Sequence, residues 1–314
     1  MHLLSARTLR GCEASRRHRG RVERDADVRD ARRGARLLEH HQGHPGRRGP
    51  QQGVEDDVRA GAAEVTTPLL ALEGLSKRFA GRAAVDDLSL AVAPGEIYGL
   101  IGPNGSGKTT TVKLVAGVYR PTAGRVLVNG IDLHAEPERA KRLLGYVPDE
   151  PFAYERMSGR EFLHLVDELW GVPPAGRGAR IEDLARTFSG LAPILDAHVD
   201  GYSRGNRQKL ALVAALLHAP RLLVIDEPIV GLDPESALRA RELLRAFAAG
   251  GGAALVCTHT LSFAEAVCHR VGLLRDGRLA AEGDMDALRR RATPEGSPEG
   301  ASLEELYLRL AGRP

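Results

Sequence analysis

Cysteine is scarce in this chain: Cys12, Cys257 and Cys268 are the only three in 314 residues, they form no CxxC pair, and none has histidines nearby at zinc spacing. Neither a disulfide framework nor a structural zinc site is suggested, and a reducing, cytosolic setting fits. Aromatic residues are also few, at 4% with a single Trp. Long apolar runs are missing: the longest, Leu210 to Leu217, falls far short of the roughly 18 residues that a membrane-spanning helix needs. No bilayer crossing is expected. What is present is ordinary for a globular chain, 43% hydrophobic and 27% charged. The length points to one large α/β domain or a core with appendages.

The net charge of +3 conceals an asymmetry. Residues 1–65 carry 14 Arg against 10 acidic residues, leaving 30 basic and 31 acidic residues beyond them, so the body of the chain is near neutral. The leader has no Lys, Ile, Phe, Tyr or Trp but is dense in Arg, Gly and His. That composition cannot bury enough apolar area to fold alone, and 1–65 is read as disordered. Interspersed acids weaken a nucleic-acid arm or transit peptide, and a secretory signal would need an apolar segment that is missing. Val65 is read as an alternative translation start, because ordered patterning begins just after it.

From Leu69 onward, strand-like segments alternate with helical ones. Leu69–Leu75 and Val85–Val92 read as strands separated by a turn at Ala80-Gly81, and Glu96–Ile101 reads as a buried strand that enters a glycine-rich loop. A helix follows from Thr109 to about Val118. Arg125–Val128 is a further strand, ended by the strong turn signal Asn129-Gly130. Helical periodicity covers about Glu136 to Leu144 and Gly159 to Leu169, then breaks at Gly171-Val172-Pro173-Pro174. Leu222–Ile225 and Ala253–Cys257 have the length and two-sided apolarity of central parallel strands. Such alternation predicts a doubly wound sheet. Near the end, Ser302-Leu303-Glu304-Glu305 forms a capping box for a helix with the stripe Leu303, Leu306, Tyr307 and Leu310, after a flexible stretch at Ala292–Gly300.

The chemistry concentrates at three places. Gly102-Pro103-Asn104-Gly105-Ser106-Gly107-Lys108-Thr109 matches G-x-x-x-x-G-K-[ST] between a strand and a helix, the context of a phosphate-binding loop. Glycines let backbone N–H groups turn toward a β-phosphate, the helix N-terminus adds positive potential, Lys108 reaches the β- and γ-phosphates, and Thr109 is placed to bind Mg²⁺. Leu222–Ile225 then delivers Asp226 and Glu227 to a strand end, where Asp226 suits a Mg²⁺ role and Glu227 a general base for attacking water. His259 ends the next apolar strand and is expected at the same edge as a γ-phosphate sensor.

Upstream of the carboxylates lies Tyr202-Ser203-Arg204-Gly205-Asn206, followed by Arg207-Gln208-Lys209-Leu210. This segment resembles the signature motif, commonly LSGGQ, of ATP-binding cassette (ABC) transporter nucleotide-binding subunits, and the resemblance covers about Leu69 to Gly283. It implies an α/β fold of the P-loop NTPase (ABC ATPase) type, with a mostly parallel central sheet, an antiparallel β subdomain and a helical insert subdomain at about 150–215. The ABC ATPase domain would span 66–290, before the linker and helix of 291–314. By the same resemblance Phe79 stacks on adenine and Thr110 joins the ATP contacts. Ser203, Arg204, Gly205 and Asn206 would address the ATP held by a facing subunit, and Asp233, in Gly231-Leu232-Asp233, would lie on the D-loop at the dimer interface.

Two departures stand out. Asp149 occupies the place of a usual glutamine, from which it would join Thr109 and Asp226 at Mg²⁺, and the signature has Arg204 for glycine and Asn206 for glutamine. Arg204 either contacts phosphate or points to solvent. Both departures resemble bacterial exporter-type subunits (Ecs-like, ABC-2-type), and Lys108, Asp226, Glu227 and His259 are all retained. ATP and Mg²⁺ are the implied cofactors. A membrane-spanning permease and a second nucleotide-binding subunit are the implied partners, at the cytoplasmic face of the membrane, and no nucleic acid is expected. Pro151, Phe152, Tyr154 and Met157 either meet that permease or pack inside the helical insert. A non-transport ABC ATPase acting on soluble partners, and an ATP-binding regulatory module with little turnover, are the alternative readings.

Overall fold

The computed structural model describes residues 67–292 and 303–305. The leader 1–65 and the apolar stripe Leu306, Tyr307 and Leu310 lie outside the described residues, whereas 303–305 are helical. Three strands are buried along their whole length: β3 (Ile97–Ile101), β7 (Leu222–Asp226) and β8 (Ala253–Thr258). A continuous Val/Ile/Leu run suits a strand covered on both faces, and a parallel sheet is where that occurs. With β6 (Leu144–Val147), β9 (Arg270–Arg275) and β10 (Arg278–Gly283) they form one sheet in the order β10-β9-β3-β8-β7-β6, parallel throughout except for the β9–β10 hairpin. A second, antiparallel sheet runs β2 (Arg82–Val92), β1 (Leu70–Phe79), β4 (Ala123–Val128), β5 (Ile131–Asp132).

Side-chain alternation along the central strands splits the core in two. Ile97, Ile101, Leu223, Ile225, Ala254 and Val256 face the helices of the segment between β6 and β7 together with α6 (Pro234–Ala249) and α7 (Leu261–Val267). Tyr98, Leu100, Leu222, Val224, Leu255 and Cys257 face α1 (Lys108–Val115) and the antiparallel sheet. A one-residue slip of β7 would exchange the two faces, and because both are buried its cost would lie in mismatched packing, about 1–3 kcal/mol for each overpacked side chain.

The expected helix from Glu136 to Leu144 is shorter than its periodicity suggests: α2 covers Pro137–Lys141, and Leu144 opens β6 instead. Pairing with β7 decides this, because Leu144 and Val147 are buried beside Leu222 and Ile225. Helix α1 likewise ends at Val115 rather than Val118, stopped by the left-handed Gly117. The Asn129-Gly130 turn forms as expected, with φ of 50° and 78°, the pattern of a type I′ hairpin between β4 and β5.

Between β6 and β7 lie α3 (Gly159–Leu169), α4 (Arg177–Arg186) and α5 (Arg204–Leu216). Ser158 and Glu161 cap α3 reciprocally, and Arg160 ties it to Glu182 at 2.5 Å and Asp196 at 2.6 Å. His218, just after α5, donates from Nε2 to the Leu144 carbonyl at 3.0 Å and stacks on Trp170 with ring centroids 4.2 Å apart. Its Nδ1 is buried without a partner. Burial, with Arg180 adding to it, outweighs the Leu144 hydrogen bond and the nearby Asp167 and holds its pKa below the usual 6.5. A depressed folded-state pKa contributes stability that is present above pH 6.5 and lost as pH falls through the folded value. The urea midpoint of the unaltered chain is therefore expected to fall more between pH 7.5 and 5.5 than that of His218→Phe. Equal falls would show that His218 does not titrate against folding.

Candidate functional site

Strand register sets the site before any side chain is considered. Ile101 lies beside Thr258, Asp226 beside Cys257 and Val147 beside Ile225, so the loops after β3, β6, β7 and β8 leave the sheet at one edge. Ligands of open α/β sheets bind at that carboxyl edge. There the structure forms a cleft of about 440 Å³. Asn104, Gly105, Gly107, Lys108, Thr109 and Thr110 line it from the β3–α1 side, and Asp149, Arg204, Glu227 and His259 line it from the other loops.

The loop after β3 is shaped for an anion. Gly107 has φ of +109°, and a Cβ there would lie 2.3 Å from the Ala84 carbonyl oxygen. Only glycine allows that approach. A Cβ on Gly102 would lie 2.3 Å from the Leu274 carbonyl oxygen, so this end of the loop is pressed against β9. No side chain caps the N-terminus of α1. The buried Lys108 ammonium curls over the loop, donating to the carbonyls of Gly102 at 2.7 Å and Pro103 at 3.1 Å. Behind it, the Ser106 hydroxyl is buried with no hydrogen-bond partner. An ammonium, a helix N-terminus and an orphaned hydroxyl around one cradle suit a polyphosphate.

Asp226 is buried and accepts a hydrogen bond from Thr109. Burial raises its pKa to about 6, with Glu227 and Asp149 adding to the shift and Thr109 and Lys108 opposing it. Among the described residues no group of three or more His, Cys, Asp or Glu could hold a metal. A hydroxyl and one carboxylate are nonetheless the donor set that fits Mg²⁺, which takes its remaining ligands from water and substrate phosphates. Thr109 and Asp226 would hold it, with Asp149, which lines the same cleft and pairs with Arg204 at 3.2 Å, as the third expected ligand, and bound there it would neutralise charge on the phosphates and relieve Asp226 of its burial penalty.

Glu227 is fixed from three sides. Its Oε2 accepts from the Thr258 hydroxyl at 2.9 Å, and its Oε1 accepts from the His259 backbone N–H at 3.1 Å and meets His259 Nδ1 at 2.6 Å. Its own N–H donates to the Cys257 carbonyl at 2.8 Å, in a left-handed backbone with φ of +53°. A non-glycine residue held so costs on the order of 1–3 kcal/mol, and such outliers gather at functional sites. From α5, the buried Gln208 reaches the Glu227 carbonyl, its Nε2 donating at 3.4 Å. Sequence reading assigned no role to Thr258 or Gln208. Thr258 was findable as a hydroxyl one residue before His259, whereas nothing local marks Gln208.

The other expected site residues sit elsewhere. Phe79, at the end of β1 and 43% exposed, does not line the cleft. It meets Tyr119 edge-on at 5.5 Å under the Lys77 ammonium. Ser203 caps α5 by accepting from the Asn206 N–H at 3.2 Å. Gly205 is packed under the Gly231 carbonyl. Asp233 caps α6, and its pKa is held well below the usual carboxylate range by the Ser236 hydroxyl and N–H, with the Lys209 ammonium 3.2 Å away adding to this. Of the signature residues, Arg204 alone lines the cleft of its own chain.

A family model described as "ABC transporter" matches residues 85–230. The chain is 34% identical over 239 residues to the probable multidrug ABC transporter ATP-binding protein YbhF of Escherichia coli (strain K12), covering 75% of this chain and 40% of that protein. It thus spans less than half the length of that relative. It is 36% identical to the lipopolysaccharide export system ATP-binding protein LptB of Acidithiobacillus ferridurans, over 68% of this chain and 90% of the relative. A solved structure described as an ATP-binding subunit of an ABC transporter superposes with a TM-score of 0.72 at 35% identity, over 78% of this chain and all of the other. Covered over two thirds and more at 34–36% identity by these relatives, the chain belongs to the ABC transporter family and carries that family's ATPase domain.

Proposed function

We propose that this chain binds Mg·ATP in the cleft, hydrolyses it through Glu227, and works as one of two facing subunits that drive export through a separate membrane-spanning protein. The observation that carries hydrolysis is the Glu227 carboxylate, fixed by Thr258 and His259 at the edge where Lys108 and Thr109 close the phosphate loop. Lys108 binds and orients the phosphates, Glu227 takes a proton from the attacking water, and His259 holds Glu227 and contacts the transferred group. Ser203, Gly205 and Asn206 stand at the N-terminus of α5, outside the cleft of their own chain, as residues meant for a second subunit's nucleotide would. Asp233 lies on the adjoining D-loop.

The membrane partner has a separate surface. A groove of about 330 Å³ runs between the sheet and α3, lined by Tyr146, Pro148, Phe152, Phe162, Val166 and Trp170. Phe152 is 72% exposed, with Tyr154 edge-on at 5.4 Å. Such rings are costly to leave wet, which favours docking over packing within the insert, and adjoining Pro151 and Met157 would extend the contact. Among the described residues no helix is long and apolar enough to cross a membrane. The chain would sit peripherally on the cytoplasmic face, and the cargo would be chosen by the permease. The relatives named for multidrug transport and lipopolysaccharide export support the exporter reading.

The test is to tag the protein, solubilise native membranes in mild detergent with ATP, and identify what co-purifies. A stoichiometric multi-span membrane protein is expected, with recovery falling about tenfold for Phe152→Asp, the loss typical of a buried aromatic anchor. Recovery of soluble partners alone would overturn the transport reading and leave an ABC ATPase that acts on soluble partners.

A further inference from the structure

Two of the three positions where the sequence departs from the family pattern touch each other. Arg204, where the signature usually has glycine, places its Nη2 3.2 Å from Oδ1 of Asp149, where the family usually has glutamine. Their side chains are 56% and 45% exposed, and both line the nucleotide cleft. The stem of Arg204 lies over Gly231: a Cβ built on that glycine would come within 3.1–3.4 Å of the arginine Cβ, Cγ and Cδ. One side chain therefore joins the start of α5, the loop after β6 and the D-loop.

An unpaired Asp149 would oppose a polyphosphate, since the cleft already holds Glu227 and has Asp226 behind it. An unpaired Arg204 would attract it. Paired, each cancels the other, and each is also the natural partner of something that ATP brings: the guanidinium of the phosphates, the carboxylate of the accompanying cation.

We propose that Arg204 and Asp149 form a latch across the nucleotide cleft, closed in the empty chain and opened by competition when ATP and its cation enter. Arg204 is a positioning residue in this scheme: it withholds Asp149 from the cation until nucleotide takes its place, and its stem leaves Gly231 as the latch opens. The latch rests on the nucleotide reading of the cleft and adds a regulatory contact to it.

The test is a double-mutant cycle read by binding alone, with no turnover involved. Trinitrophenyl-ATP is titrated in EDTA into the unaltered chain, Arg204→Gln, Asp149→Asn and the double variant. If binding breaks the pair, the product of the unaltered and double-variant Kd values exceeds the product of the two single-variant values. The expected excess is about two- to fivefold, the range for exposed ion pairs, and it shrinks toward one as salt is raised. A ratio of one or less at low salt means that the pair persists or never forms, and overturns the latch while the binding itself upholds the nucleotide site. No binding of the analogue by the unaltered chain overturns both. Because the residues are half-exposed, circular dichroism is expected to find all four proteins folded, and the swapped variant Arg204→Asp/Asp149→Arg is expected to recover at least half of the lost coupling.

Discussion

Glu227→Gln is expected to lower kcat for ATP hydrolysis by about 10²- to 10⁴-fold, the range for loss of a general base, while changing nucleotide affinity less than about threefold. The amide is isosteric with the carboxylate. Its oxygen can still accept from the His259 N–H at the 3.1 Å position, and its NH₂ can donate to the Thr258 hydroxyl at the 2.9 Å position. The loop therefore keeps its shape. What disappears is the negative charge that draws a proton from water, and with it the step that ends the ATP-bound state. A closed two-subunit form is then expected to accumulate with Mg·ATP in size-exclusion chromatography, because binding still favours closure and nothing reverses it. Steady-state turnover and the elution profile together make the test. Turnover equal to that of the unaltered chain would remove Glu227 from the chemistry and favour an ATP-binding module with little catalytic function.

The second large effect comes from a single methyl group. Gly205→Ala is expected to reduce kcat by about 10²-fold, the scale of a 1 Å misplacement, and to lower unfolding stability by about 1–3 kcal/mol, the scale of overpacking. A Cβ on Gly205 would lie 2.4 Å from the Gly231 carbonyl oxygen and 3.3 Å from its carbon. Both neighbours are backbone, so no side chain can swing aside. Either the start of α5 lifts or the turn at Gly231 moves, and that turn is tied to Glu227 through the hydrogen bonds Val230 N–H to Glu227 carbonyl at 3.4 Å and Leu232 N–H to Ile229 carbonyl at 3.1 Å. Gly205 is not in the left-handed region, so the cost is one of approach and not of backbone strain. Affinity for trinitrophenyl-ATP should stay within about threefold, since Lys108 and its loop lie outside the contact. Urea unfolding and kcat are the measurements, and a variant with near-normal turnover would show that α5 and the D-loop are not rigidly packed.

Much of the site was legible because its parts are local. Gly102 to Thr109 are contiguous, and their glycines, lysine and threonine state their chemistry without reference to the rest of the chain. Asp226, Glu227 and His259 were legible because each follows a run of apolar residues that reads as a buried strand, and parallel strands share one carboxyl edge. Strands β9 and β10 went unread, although Asp276-Gly277, with φ of 50° and 77°, is a hairpin signal of the same kind as Asn129-Gly130. Strand β6 is not legible because it has only four residues and its first, Leu144, completes a helical period, so that only pairing with β7 marks it as a strand.

The sequence alone determined the phosphate loop, the acidic pair, the signature helix and the alternation that makes a doubly wound sheet, because each depends on residues a few positions apart. Tertiary structure decided what those parts do to one another. Thr258 and His259 hold Glu227 across 31 and 32 positions, Gln208 reaches it across 19, and Arg204 meets Asp149 across 55. Strand order and register set such distances, and no local pattern encodes them, since a hydrophobic period states which face of an element is buried but not which neighbour buries it.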